Sequence, residues 1–266
     1  MTHRSLALAA LVSAGLGLAA LSVPAASAAA RPSSARPAFA LPASAPFAGT
    51  PRVGALFTTG AGGSLGHHFC SASVVDSPGH SLLVTAAHCV VAPGSGRARS
   101  GLVFVPGYHN GVKPYGQWRV TRVVADAKWS LHGDTDFDVA FLTVAPGAKG
   151  RKLQDVVGSE AIAFNTARSG PAVAVGYPSR TERPVHCDST LRGFGTAQLE
   201  FDCPGMPGGT SGGPLLTGAG ASGGGRGTVV GIIGGYQEGG LTPDISYSPY
   251  FSAGIAAVYR AAANQR

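Results

Sequence analysis

The chain is poor in charge. Only 12% of its 266 residues are Asp, Glu, Lys or Arg, and no acidic residue precedes Asp76. It has no cluster of Lys and Arg with interleaved aromatics, the footprint that nucleic-acid binding leaves. The formal charge of +7 falls to about +4 once residues 1–48 are set aside, because Arg4, Arg31 and Arg36 lie there. That is an ordinary solubility margin. No C-x-x-C knuckle occurs, which argues against a zinc site built from Cys70, His88 and Cys89. The Gly-rich stretch 218–227 opens no helix, so it is a loop between strands and not a phosphate cradle. Beyond the first 28 residues no apolar run is long enough to span a bilayer, and no internal repeat is visible.

What is abundant is punctuation. Gly (40) and Pro (19) are frequent while 44% of residues are hydrophobic, a mix that fits a turn-rich all-β protein better than a helical or disordered one. Short apolar runs at 81–87, 118–125, 172–176 and 228–233 are bounded by turn formers and read as strands. Strand-like segments run from about Val53 to Val144, the stretch Ala145–Gly150 interrupts them, and a second strand-rich half follows. The expected division is therefore a first strand-rich half over 49–150 and a second, ending in a terminal helix, over 151–266. That helix is read from Ile255, Val258 and Tyr259 at helical spacing.

The N-terminus has the layout of a secretory signal over 1–28. His3 and Arg4 precede an apolar stretch from Leu6 to about Val23, and Ala-Ser-Ala at 26–28 offers a cleavage site after Ala28. An uncleaved anchor is the competing reading, but no basic stop-transfer flank follows. Residues 29–48, rich in Ala, Pro, Ser and Arg, read as a propeptide or disordered linker. Export brings an oxidising compartment, where disulfides persist. Four cysteines allow three pairings. The favoured one is Cys70–Cys89 with Cys187–Cys203, each closing a short loop worth roughly 3 kcal/mol in the chain-entropy picture.

Three residues carry chemistry. Ser211 lies in Gly-Gly-Thr-Ser-Gly-Gly-Pro, 208–214, where flanking glycines permit a sharp turn and let adjacent N–H groups converge on one concavity. A serine hydroxyl is a weak nucleophile without a base, and His88 in Thr-Ala-Ala-His-Cys is a candidate base. A base needs an orienting carboxylate. Asp138 stands directly before Val-Ala-Phe-Leu and should enter the core, whereas Asp134 and Asp136 are its nearby rivals.

With these motifs in place, the chain resembles the trypsin/chymotrypsin-like serine peptidases, and more closely their bacterial secreted, glutamyl-endopeptidase-like branch. T-A-A-H-C (85–89), D-V-A-F-L (138–142) and G-x-S-G-G-P (209–214) carry the resemblance, in the order His, Asp, Ser. It implies an all-β fold of two six-stranded antiparallel barrels with the cleft between them, and it supports Cys70–Cys89 beside the histidine. It also implies Ser211 as nucleophile, His88 as general base and acid, Asp138 as its partner, and the backbone N–H groups of Gly209 and Ser211 as an oxyanion hole. No cofactor or metal is implied. The partners expected are protein or peptide substrates met by a secreted, extracellular monomer, with no nucleic acid and no membrane after signal cleavage.

Departures from the family pattern are informative. Thr210 stands where the trypsin branch has an aspartate that pairs with a newly cut N-terminus, so activation by that switch is not expected. The base of the P1 pocket should lie at Gly205 and Met206, and the absence of Asp there argues against Arg or Lys preference. Ile233 replaces a histidine that helps bind a substrate carboxylate in glutamyl endopeptidases, which argues against strict Glu preference. An apolar or bulky P1 side chain is expected, with Gly234, Gly235 and Tyr236 bordering the pocket and pairing with substrate as an added strand. The other histidines, His67, His68, His80, His109, His132 and His186, read as surface residues in loops. Two rival readings remain. A catalytically silent homologue acting as an extracellular protein-binding module is weighed against by retention of all three residues. An esterase elbow at 209–213 fails because it requires the order Ser, acid, His.

Overall fold

The structure, a computed structural model, describes residues 42–264. The expected signal segment and the linker as far as residue 41 lie outside the described residues. Pairing begins earlier than Val53: β1 (Ala45–Pro46) already runs antiparallel to the strand Val185–Phe194. A two-residue Ala-Pro edge has no periodicity to read, and Pro is tolerated at an edge because its missing donor is not needed there.

The first half contains β2 (Val53–Thr58), β3 (Cys70–Val74), β4 (Leu82–Thr85), the helical turn α1 (Ala87–Val90), β5 (Leu102–Pro106), β6 (Trp118–Ala125), α2 (Ala127–His132) and β7 (Ala140–Val144). Its strands close into a barrel in the order β2-β3-β4-β7-β6-β5. Leu56, Leu83, Phe104, Phe141 and Leu142 are fully buried, each contributing about 1.5–3 kcal/mol by leaving water.

The second half contains α3 (Leu153–Val157), β8 (Ala161–Ile162), β9 (Gly170–Gly176), β10 (Val185–Phe194), β11 (Gln198–Asp202), β12 (Pro214–Thr217), β13 (Thr228–Ile232), β14 (Ile245–Pro249) and α4 (Ala253–Ala263). Six antiparallel strands follow the path β14-β11-β10-β9-β12-β13, with β8 added parallel to β13 and β1 added to β10. The second half is thus a sheet and not the closed barrel expected, since no ladder pairs β13 with β14; only isolated bonds link them. Gly234 N–H donates to Tyr247 O at 2.9 Å, and Ile232 N–H donates to Ser248 Oγ at 3.0 Å. The Ser248 hydroxyl thus stands in for a backbone acceptor and donates onward to Pro249 O at 2.8 Å.

The halves are locked together. One apolar cluster runs from the first barrel through Val175, Tyr177, Leu216 and Ile232. Glu160, fully buried, accepts from Arg52 Nε at 2.7 Å and from Gly227 N–H at 2.6 Å. Disulfides join Cys70 to Cys89 and Cys187 to Cys203. The C-terminal helix α4 buries Ile255 and Val258, and it packs on the first barrel, with Tyr259 5.6 Å from the Phe141 ring. A helix at the end of the sequence therefore clasps the half at its beginning.

Ser248→Ala leaves the buried Ile232 N–H without an acceptor. It should destabilise the fold by about 1–3 kcal/mol, read as a lower midpoint in urea unfolding.

Candidate active site

Strand pairing brings two of the expected residues together. Thr85 at the end of β4 lies opposite Ala140 at the start of β7. The chain leaves β4 through Ala86 into α1, and it enters β7 from a short turn over Thr135–Phe137. His88 and Asp138 consequently sit at the same end of one strand pair, and the Cys70–Cys89 bridge ties α1 back to β3.

Asp138 is fully buried. It accepts three bonds: His88 N–H at 2.7 Å, His88 Nδ1–H at 2.7 Å and Gly235 N–H at 2.8 Å. Donors of this kind are what a carboxylate needs to stay charged out of water. With Nδ1 donating, Nε2 is the ring's acceptor. The rival carboxylates are engaged elsewhere. Asp134 accepts from Asp136 N–H at 3.0 Å, and Asp136 accepts from Gln198 Nε2 at 2.6 Å. Burial alone would lower the His88 pKa, but the charge and hydrogen bond of Asp138, helped by Glu238, raise it above 6.5.

The loop carrying Ser211 is held one peptide at a time. Gly208 O accepts from Ser179 N–H at 2.9 Å and from Ser179 Oγ at 3.1 Å. A trans peptide points its C=O and N–H in opposite directions, so Gly209 N–H faces away from Ser179. Gly209 O accepts from Ser71 Oγ at 2.9 Å while Thr210 N–H donates to Pro207 O at 3.1 Å. Thr210 O accepts from Gly213 N–H at 2.9 Å, turning Ser211 N–H the other way. Ser211 O accepts from Ser71 N–H at 2.8 Å. Among the described residues, Gly209 N–H and Ser211 N–H have no acceptor, whereas the Thr210 N–H between them is occupied. Glycine is obligatory at three points. At Gly209 (φ +100°) a Cβ would lie 2.3 Å from Ser179 N, at Gly212 (φ +79°) 2.1 Å from Thr85 Oγ1, and at Gly213 2.1 Å from Val175 O. Ser211 itself is half-buried.

Thr210 is buried and gives its hydroxyl to Pro207 O at 2.7 Å. The site of the family's aspartate is thereby satisfied within its own loop. Gly205 and Met206 are fixed from two sides: both N–H groups donate to Pro243 O at 2.9 Å, and Gly205 O accepts from Ser44 Oγ at 2.6 Å. Met206 and Ile233 are buried in a second apolar cluster with Leu199, Phe201 and Leu215. Gly205, Pro207 and Pro243 border a groove of about 610 Å³.

The segment Gly234–Tyr236 is not the open strand edge expected. All three N–H groups are engaged, by Tyr247 O, Asp138 Oδ2 and Gln198 Oε1 at 2.9, 2.8 and 3.1 Å. The chain turns at Tyr236–Gly239, with Gln237 and Glu238 at φ +53° and +55°. The glycines here free the backbone to bend inward onto Asp138. His68 likewise departs from the expected surface position. It is buried, its Nε2 lies 2.9 Å from Pro178 O, and it packs against Phe57 and Tyr108. Cys70, His88 and Cys89 do lie within 4.8 Å of one another, but the disulfide consumes both thiols, leaving no thiolate ligands. Ser71, Ser179 and Gln198 carry no motif of their own, and the sequence reading passes over them.

Comparison with known proteins matches the trypsin-like peptidase domain to residues 70–232. The chain belongs to the trypsin-like peptidase family. It is a serine endopeptidase whose substrates are proteins or peptides. The peptidase resembles, among solved structures, the protease Anisep from Arthrobacter nicotinovorans at 31% identity and a TM-score of 0.72, with 84% of this chain and 100% of that one covered. A thermostable serine protease, AL20, from an extremophilic microorganism matches at 29% identity and 0.70, covering 82% and 99%. A Glu endopeptidase in complex with MPD shares the fold at 16% identity and 0.64, covering 84% and 97%. No curated protein matches the chain.

Titration of the His88 ring followed by NMR should show a midpoint above 6.5. Glu238→Gln should lower it. Asp138→Asn should lower it further, since burial then acts without the charge that outweighs it.

Proposed function

We propose that the peptidase is secreted and hydrolyses peptide bonds through His88, Asp138 and Ser211 by way of an acyl-enzyme. The observation that carries this reading is the buried His88–Asp138 pair, which leaves Nε2 as the unprotonated ring nitrogen beside a loop with two unclaimed N–H groups. Ser211 Oγ attacks the scissile carbonyl while His88 Nε2 takes its proton. Charge building on the carbonyl oxygen is met by the N–H groups of Gly209 and Ser211. His88, now an imidazolium stabilised by Asp138, protonates the leaving amine, and water then repeats the sequence on the acyl-enzyme. Each oxyanion donor in such a site is worth about 2.7–4 kcal/mol of barrier.

Gly205, Met206 and Ile233, the residues assigned to the P1 pocket, carry no charge, which supports an apolar preference. With Tyr236 N–H held by Gln198, substrate pairing along Gly234–Tyr236 would use carbonyl acceptors first. The two disulfides and the absence, among the described residues, of a helix long and apolar enough to cross a membrane support export. In this reading residues 1–28 are the signal and the segment beyond it is processed upstream of β1, because β1 is part of the sheet.

Digestion of a diverse peptide library by the purified protein, with Ser211→Ala as control, tests the proposal. Ser211-dependent cuts after apolar residues are expected, with the control at least about 10³-fold slower. Cleavage retained by Ser211→Ala would refute the assignment, and an intact library with a folded wild type would favour the silent homologue.

A further inference from the structure

We propose that Ser71 is a positioning residue that sets the oxyanion loop against the histidine-bearing half of the molecule; the inference rests on the catalytic reading above. Ser71 is fully buried in β3, next to Cys70 of the disulfide. Every polar group it owns is used. Its Oγ donates to Gly209 O at 2.9 Å and accepts from Tyr177 N–H at 2.8 Å. Its N–H donates to Ser211 O at 2.8 Å. Its own carbonyl accepts from Thr85 Oγ1 at 2.7 Å, three residues before His88.

One residue of the first barrel therefore grips the nucleophile loop at the carbonyls of Gly209 and Ser211, on both sides of Thr210. The hydroxyl fixes the Gly209–Thr210 peptide, and through Gly209 it limits how that residue's N–H can swing. The backbone N–H fixes the plane that follows Ser211. Thr85 holds the same residue to the strand from which His88 departs. Relative placement of Ser211 and His88 is thus set by a short path of hydrogen bonds as well as by packing across the cleft. A placement error of about 1 Å costs a reaction on the order of 10²-fold.

Ser73, two residues along the same strand, makes the contrast. It is equally buried, yet its Oγ has no partner. If hydroxyls in β3 served only to fill space, Ser71 and Ser73 would be equivalent.

The test compares Ser71→Ala, Ser71→Thr and Ser73→Ala in steady-state kinetics, with rates expressed per folded molecule by circular dichroism. Ser71→Ala should lower kcat by about 10- to 100-fold, less than the ~10²–10³ of losing a whole oxyanion donor, with KM within about twofold. Ser71→Thr, which keeps the hydroxyl, should restore most of kcat, and Ser73→Ala should leave kcat unchanged. An unchanged kcat in folded Ser71→Ala, or equal losses in Ser71→Ala and Ser73→Ala, would overturn the inference while leaving the triad standing. Should Ser71→Ala not fold, a folded Ser71→Thr with kcat reduced tenfold or more overturns it, and one near wild type upholds it. A wild type without Ser211-dependent hydrolysis overturns the catalytic reading and this inference with it.

Discussion

Asp138 is a carboxylate with no exposure to water, and the geometry around it is arranged to make that tolerable. Left unpaired, such a charge would cost several kcal/mol. Three N–H donors offset that cost, and they are the backbone of His88, the ring of His88, and Gly235 from the other half. Satisfying the charge therefore positions the ring, selects its tautomer and draws the second half over the first. Gly234 beside it cannot carry a side chain without crowding Asp138 Oδ2, since a Cβ would lie 3.1 Å away. The turn at Tyr236–Gly239 and the engaged N–H groups along it follow from this demand.

The loop carrying Ser211 obeys the same logic with neutral groups. The carbonyls of Gly208, Gly209 and Ser211 have donors fixed elsewhere in the fold and that of Thr210 has one within the loop, so the intervening N–H groups have their directions imposed. Two of them end without an acceptor beside Ser211. On the proposed mechanism, a loop that holds these two N–H groups in a pinned conformation is pre-organised for an oxygen that arrives only during reaction. Proteins concentrate such unsatisfied groups at functional sites.

Much of this was legible beforehand because it rests on motifs that are local in sequence. The strand runs at 118–125 and 228–233, the C-terminal helix, the disulfide pairing and the family all follow from short patterns. Asp138 could be preferred over Asp134 and Asp136 because only it abuts an apolar run. What escaped depends on long-range contacts that leave no periodic signal. The Ala-Pro edge of β1 pairs with a strand about 140 residues away. His68 looks like a loop histidine until Phe57 and Tyr108 close over it. Ser71 and Ser73 are indistinguishable in sequence, one a junction of four hydrogen bonds and the other without a partner for its hydroxyl. The Gly234–Tyr236 edge reads as open because glycine does not reveal which way it will bend.

The central claim is that Ser211 is made nucleophilic by a His88 that Asp138 holds in place. The most direct measurement is intact-protein mass spectrometry after exposure to a fluorophosphonate, followed by peptide mapping. Stoichiometric labelling of Ser211 in the wild type, lost in folded His88→Ala, is the result this account predicts. A folded wild type that stays unlabelled, or labelling of Ser211 that persists unchanged in His88→Ala, would contradict it.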